Sequence, residues 1–280
     1  MIRLILLLNL LALPALAVAM PAGLLVPGGI AKISLGDSRL PAPKVYYQKH
    51  RVLVTQCDGQ WLALVGIPLT AEPGMQQISI QTAAGVRNSD FLVLDKHYPE
   101  QHLSITNKRM VDEMTPADLK RIDAEKQLMA QIKATWSERP PALDFVAPVE
   151  GRLSSLFGLK RFFNEVPRQA HNGLDIAAPN GAAINAPAAG TVIATGNFFF
   201  NGNTVFLDHG QGLLSVYLHM SRIDVRQGQQ VQTGQRLCNV GATGRVTGPH
   251  LHWIVYLNQE TVDPALFIAA DLPRLAARNH

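Results

Sequence analysis

Two short segments constrain this chain more than anything else in it: His171-Asn172-Gly173-Leu174-Asp175 and, further on, Gly248-Pro249-His250-Leu251-His252-Trp253. Histidine is scarce, nine residues in 280, yet three of the nine fall in these segments beside one carboxylate. That is the side-chain set of a transition-metal site. If the residues share one ion, the fold has to bring the two segments together.

The second segment has a geometry that follows from its spacing. In a strand, residues i and i+2 project from the same face, so His250 and His252 point together into a cleft while Leu251 faces the core. The β-branched and aromatic run Trp253-Ile254-Val255-Tyr256-Leu257 supports a strand. His171 and Asp175 are four apart, but Asn172-Gly173 between them and Pro179 beyond disfavour a helix. His171 is therefore expected in a loop, with Asp175 on a short buried strand, Leu174 to Ala177. A catalytic zinc takes three protein ligands and leaves a position for water. His171, Asp175 and His252 would supply the three, leaving His250 beside the metal and His219 as a further candidate. Imidazoles next to an open metal suit acid/base work, because their unperturbed pKa of about 6.5 lies near working pH.

A lone His-x-His is as easily two half-exposed strand residues, and a lone His219 after an apolar strand is more often structural. His209, in Leu207-Asp208-His209-Gly210, reads as part of a turn between strands, and His50, His97, His102 and His280 have no ligand-like company. The coincidence of His171, Asp175 and the His250-x-His252 pair sets those residues apart.

Several motifs occur together and in order: Ser154-Ser155-Leu156-Phe157-Gly158, His171-x-Gly173-x-Asp175, Ala186-Pro187-Ala188-Ala189-Gly190-Thr191-Val192, Tyr217-Leu218-His219, and Gly241-Ala242-Thr243-Gly244 continuing to Thr247-Gly248-Pro249-His250-Leu251-His252. In these, residues 148–264 resemble the lysostaphin-type (LytM-like) zinc metallopeptidases, which cut peptide bonds in bacterial peptidoglycan. The resemblance implies one Zn2+ per chain held by His171, Asp175 and His252, with His219 and His250 catalytic. His250 is the expected general base and His219 the residue that orients water or stabilises the oxyanion, though the roles are interchangeable at this level. Zinc would polarise the scissile carbonyl and bring the pKa of a bound water to about 7. One departure is Lys160-Arg161, where many relatives carry Arg at the first position; it is expected to affect local packing or substrate contact and to leave the metal chemistry untouched. Inactive relatives lack ligands and activate other wall enzymes. All expected ligands are present here, so a catalytically silent wall-binding activator is the second expectation.

Other chemistries find no support. There is no His-Glu-x-x-His, no Gly-x-Ser-x-Gly, and the glycines at 241, 244 and 248 lack the Lys-Ser/Thr ending of a phosphate loop. Cys57 and Cys238 fall in different expected domains and are read as unpaired thiols, neither a nucleophile.

The amino end reads as a secretory signal over residues 1–19, with Arg3, an apolar run from Leu4 to Leu13, and Ala17-Val18-Ala19 ahead of Met20. The run is short of the about 20 residues of a membrane span, so no stable span is expected after its removal. The expected location is across the inner membrane, in the periplasm. Losing Arg3 lowers the formal charge from +4 to +3, a mild excess that favours an anionic wall polymer and is too small to argue for nucleic acid. The expected partner is the peptidoglycan peptide stem; nothing bears on oligomeric state.

The expected fold is mainly β. Residues 24–97 show short strands, Ile30 to Leu35, Lys44 to Gln48, Arg51 to Thr55, Trp61 to Ile67, Met75 to Ile80 and Val86 to Leu94, separated by turn signals such as Asp58-Gly59. They suggest an immunoglobulin-like β-sandwich whose position ahead of the cleft raises autoinhibition as one role. A short helical linker, residues 98–143, follows. Thr115 is its cap, with Asp118 three residues on completing an approximate capping box, Pro116 is its first residue, and Leu119, Ile122, Met129, Ile132 and Trp136 mark its apolar face up to Pro140-Pro141. Residues 144–270 are expected to form an antiparallel β LytM-type peptidase domain with long loops over a groove, and 271–280 a tail. Phe198-Phe199-Phe200 before Asn201-Gly202 marks a hairpin turn whose aromatics pack in the core or wall the groove.

Overall fold

The structure, a computed structural model, describes residues 20–276. The expected signal segment 1–19 and the end of the expected tail lie outside the described residues.

The first six strands are β1 (Ile30–Asp37), β2 (Lys44–Tyr47), β3 (His50–Cys57), β4 (Gln60–Gly66), β5 (Gly74–Thr82) and β6 (Gly85–Val93). Asp58 and Gly59, between β3 and β4, both take positive φ (48° and 75°), the mirror-image turn that a two-residue hairpin needs. The strands form one antiparallel path, β1-β4-β3-β2-β5-β6. Residues 50–52 of β3 pair with β2 and residues 53–57 with β4. The two halves share a core that includes Val45, Val52, Ala63, Ile78 and Phe91, an arrangement compatible with the expected sandwich. The runs Val52-Leu53-Val54 and Leu62 to Val65 are apolar on both faces because the sheet half they build is covered on both. Val52, Val54, Ala63 and Val65 face the sandwich core, while Ile30, Leu53 and Leu64 join the core of the rest of the molecule.

The connecting segment holds β7 (Glu100–Leu103), a 3-10 turn (Lys108–Met110) and α1 (Pro116–Lys133). Thr115 and Asp118 form the expected capping box. Ile122 and Ile132 are buried, but Leu119 is 48% exposed and Trp136 lies beyond the helix, under the Arg51 guanidinium. The apolar face is therefore narrower than the spacing suggested. β7 has no sequence signal, since Glu-Gln-His-Leu is short and polar. It exists because it adds in parallel to β9.

The remaining strands are β8 (Arg152–Ser155), β9 (Lys160–Phe163), β10 (Val166–Pro167), β11 (Leu174–Ala177), β12 (Ala183–Asn185), β13 (Gly190–Phe198), β14 (Gly202–Asp208), β15 (Leu214–Met220), β16 (Arg222–Ile223), β17 (Gln230–Val231), β18 (Arg236–Asn239), β19 (His250–Leu257) and β20 (Glu260–Val262), with a terminal α2 (Leu272–Ala276). The main sheet runs β17-β13-β14-β15-β19-β11-β8 and is antiparallel throughout. One face, carrying Leu251, Trp253, Val255, Leu174, Ile176 and Tyr217, lies in the largest core. On the opposite face Phe206, Val216, Leu218 and Ile254 receive Ile132 of α1. Strand alternation puts His250 and His252 on that second face, beside the helix. Cys57 and Cys238 are both free thiols.

Candidate metal centre

Asp175 and His252 are register partners in the β11–β19 ladder. Directly opposed residues share a face with Cβ atoms about 5 Å apart, so pairing alone brings carboxylate and imidazole together. His252 also opposes Leu218 across β15, and Asp175 opposes Ser155 on β8. By alternation the next residue, His219, should face away. It does not, because it adopts a left-handed φ of 69°, sparsely populated for a non-glycine residue and typical of functional sites. Its ring ends 6.1 Å from that of His252 and 5.1 Å from that of His250. His171 reaches the same point from a loop pinned at both ends, its N–H donating to Leu159 O and its carbonyl accepting from Gly158 N. Gly173 permits this approach, since a Cβ there would lie 2.8 Å from His252 Cε1.

His171 Nε2, His252 Nδ1 and Asp175 Oδ1 converge, at 3.0 Å between the two nitrogens, 3.0 Å from His171 to Asp175 and 2.6 Å from His252 to Asp175. All three residues are buried and could hold a metal ion. The outer nitrogen of each imidazole assigns its tautomer. His171 Nδ1 donates to Leu156 O at 2.6 Å and His252 Nε2 donates to Asn172 Oδ1 at 3.2 Å. Both inward nitrogens are then lone pairs. Burial pushes the His252 pKa down to about 4 against the pull of Asp175. Three acceptors facing one another in a buried pocket repel unless a cation lies among them. Ligand atoms about 2 Å from a tetrahedral zinc sit about 3.3 Å apart. Separations wider by about 0.3 Å for the two longer pairs and about 0.7 Å for His252–Asp175 would admit one, so the residues fit the ion with a small side-chain adjustment.

The two further histidines are held alike. His219 Nδ1 donates to Thr243 O at 2.8 Å and His250 Nδ1 to Gly248 O at 2.9 Å, which leaves each Nε2 as a lone pair. His250 Nε2 lies 3.8 Å from Asp175 Oδ1. Burial, with His252 and His250 nearby, pushes the His219 pKa down to about 3, so its imidazole is neutral. His209 is remote and structural: its Nδ1 donates to Ala189 O, and Ser215 Oγ, itself bonded to Tyr217, donates to its Nε2.

The structure brings together all five residues singled out in the sequence and adds others. Arg161 Nη2 donates to Asp175 Oδ2 at 2.9 Å, so the second residue of the Lys160-Arg161 pair bonds a candidate ligand. Ser155 Oγ lies 3.3 Å from His171 Nδ1. Gln101 Oε1, on β7, accepts from both Ser155 Oγ and Arg161 Nε at 3.2 Å. Ser155 and Asn172 lay inside the motifs, Arg161 stood beside one, and Gln101 had no signal at all.

A crystal structure described as a putative peptidase M23 from Pseudomonas aeruginosa is 43% identical, with a TM-score of 0.75, and the match covers 89% of this chain and 96% of that one. The chain belongs to peptidase family M23. Residues 169–264 match the family described as peptidase family M23, and residues 25–96 the peptidase family M23 N-terminal domain. Among curated relatives, peptidoglycan DD-endopeptidase ShyA of Vibrio cholerae is 45% identical over 103 residues, 36% of this chain and 24% of that protein. DD-carboxypeptidase/endopeptidase Mpg of Neisseria meningitidis is 36% identical over 124 residues, 44% of this chain and 28% of that protein. The match thus spans about a quarter of the length of these relatives.

Proposed function

We propose that this M23 chain is a zinc metalloendopeptidase that hydrolyses peptide cross-links of bacterial peptidoglycan after export to the periplasm, with His171, Asp175 and His252 holding the ion. The observation that carries this reading is the convergence of His171 Nε2, His252 Nδ1 and Asp175 Oδ1 in one buried pocket, with the rings of His219 and His250 beside them. The names of the curated relatives make D,D cross-links the first bonds to test.

When bound, zinc would supply Lewis acidity to the scissile carbonyl and to a water. The chain's own residues do the rest. His250 Nε2, with its other nitrogen tied to Gly248 O, is placed to take the proton of the attacking water and return it to the leaving amine. His219, neutral and anchored on Thr243 O, accepts a hydrogen bond from that water and orients it. The carbonyls of Leu156, Gly248 and Thr243 hold three of the four imidazoles in the tautomers these roles need.

The test is digestion of cross-linked peptidoglycan by the zinc-loaded chain, with products identified by mass spectrometry and a chelator control. Monomeric muropeptides that disappear with chelator, and disappear in His250→Ala with zinc retained, are the expected result. Intact sacculi under all conditions would overturn the reading.

A further inference from the structure

Arg161, Arg168 and Arg245 lie near one another, and one of them, Arg161, bonds the candidate ligand Asp175. Arg161 and Arg168 are opposed at the end of the β9–β10 hairpin, where Arg168 N donates to Arg161 O at 2.8 Å. Arg161 turns to Asp175. Phe163 shares its face of β9, and the Arg245 guanidinium lies 4.8 Å from the Phe163 ring centroid and 4.3 Å from that of Phe200. Arg245 belongs to the loop before His250, two residues past the Thr243 carbonyl that holds His219. Two rings fix its plane between the β9 wall and the β13–β14 hairpin tip.

Arg168 and Arg245 have no ion-pair partner among the described residues. They reach instead for two consecutive main-chain carbonyls: Arg168 Nη2 donates to Val111 O and Arg245 Nη1 to Met110 O, each at a long 3.3 Å. Arg168 Nε is buried with no partner. Burial, with Arg168 and Arg161 nearby, pushes the Arg245 pKa down to about 10, so the guanidinium sits in a desolvated place already rich in positive charge. Half-buried guanidiniums of like charge, converging on weak neutral acceptors with a donor to spare, are the reverse of an optimised ion pair. An anion placed there would relieve the repulsion and use the spare N–H.

We propose that Arg168 and Arg245 form a carboxylate-binding subsite beside the metal centre, one that takes a free carboxylate of the peptide substrate and is filled here by the connector's own carbonyls at Met110 and Val111. Two planar forks match a carboxylate better than they match two amide oxygens, so substrate displaces residues 110–111 on binding. The subsite selects stem peptides whose carboxylate is free over those in which it is amidated. This rests on the peptidase reading above.

The experiment compares two muropeptide dimers with the same cross-link, one with free carboxylates and one with carboxamides, cleaved by the full zinc-loaded chain. The free form should have the lower KM by about tenfold or more, the scale of a lost charge-assisted hydrogen bond. Arg168→Gln and Arg245→Gln should raise KM for the free form more than they lower kcat and shrink the preference, and Arg245→Lys should recover part of it. Melting curves identify a variant that fails to fold, and the other variant then decides. Equal KM values for the two dimers, or variants that weaken both dimers by one factor, would overturn the subsite while leaving the peptidase standing. If the wild-type chain cleaves neither dimer, the peptidase reading is what fails. Calorimetric binding of the same dimers then decides the subsite, a preference for the free form supporting it and no preference overturning it.

Discussion

At the scale of single residues, the metal centre depends on side chains that touch its ligands rather than on the ligands alone. Arg161 holds the oxygen of Asp175 that faces away from the two imidazoles, so Arg161→Met should free the carboxylate to rotate. The expected loss is about tenfold to hundredfold in zinc affinity, read by competition with a chromophoric chelator. Unchanged affinity would mean that β11 alone holds Asp175. His209 makes a separate prediction. Its pKa is pushed down to about 4 by burial, against about 6.5 unfolded. The unfolded chain therefore binds the extra proton first. The stability His209 contributes is complete above about pH 6.5 and is lost as pH falls toward 4, about 3 kcal/mol in all. In melting curves across that window, His209→Gln should be less stable at neutral pH and should fall less steeply with acid than the wild type. Parallel slopes would refute the assignment.

Among the elements, α1 shows how far periodicity reaches. Its start was legible because Thr115, Pro116 and Asp118 act within one turn, and the box forms as the residues dictate. Which of its apolar residues are buried depended on the sheet beneath. Ile132 packs with Phe206, Val216, Leu218 and Ile254, whereas Leu119 is exposed. Ile132→Ala should therefore cost about 2–4 kcal/mol in denaturant unfolding and Leu119→Ala no more than about 0.5 kcal/mol. Similar losses at both positions would contradict the placement of the helix. β7 lies at the other extreme: four largely polar residues become a strand because β9 offers an edge, and Gln101 thereby reaches Arg161 across 60 positions of sequence. Among the three phenylalanines of the hairpin tip, Phe198 joins the α1 core while Phe199 and Phe200 meet edge to face. Of the two alternatives left open by the sequence, packing in the interior holds for Phe198 and Phe199, both 5% exposed.

Across the whole molecule, one joint of the first sheet with the rest of the chain lies at the end of β19 away from His250. Asn258, just past the end of β19, bonds both the N–H and the carbonyl of Gly66, and at about 3.3 Å per residue that end lies about 23 Å from His250. The segment just ahead of β1 also reaches the loop beside His171, where a Cβ on Gly28 would lie 2.4 Å from Phe157 Cε1. Asn258→Ala would strand the buried Gly66 N–H and should cost about 2 kcal/mol, seen as a lower melting temperature. No change would mean that the remaining contacts of the joint, Ile30, Leu53 and Leu64 among them, hold it without Asn258. A chain beginning at Asp144 loses those contacts and Gln101 together, so it should bind zinc more weakly than the full chain even where it cleaves substrate faster. What the sequence determined by itself is what acts over a few residues: the shared face of His250 and His252, the short strand under Asp175, the turn at Asp58-Gly59 and the cap at Thr115. Only the tertiary structure decided the turn of His219 into the site, the reach of Arg161 and Gln101 to the ligands and the end at which the first sheet docks. Those depend on contacts between segments up to 192 positions apart, and no local periodicity encodes them.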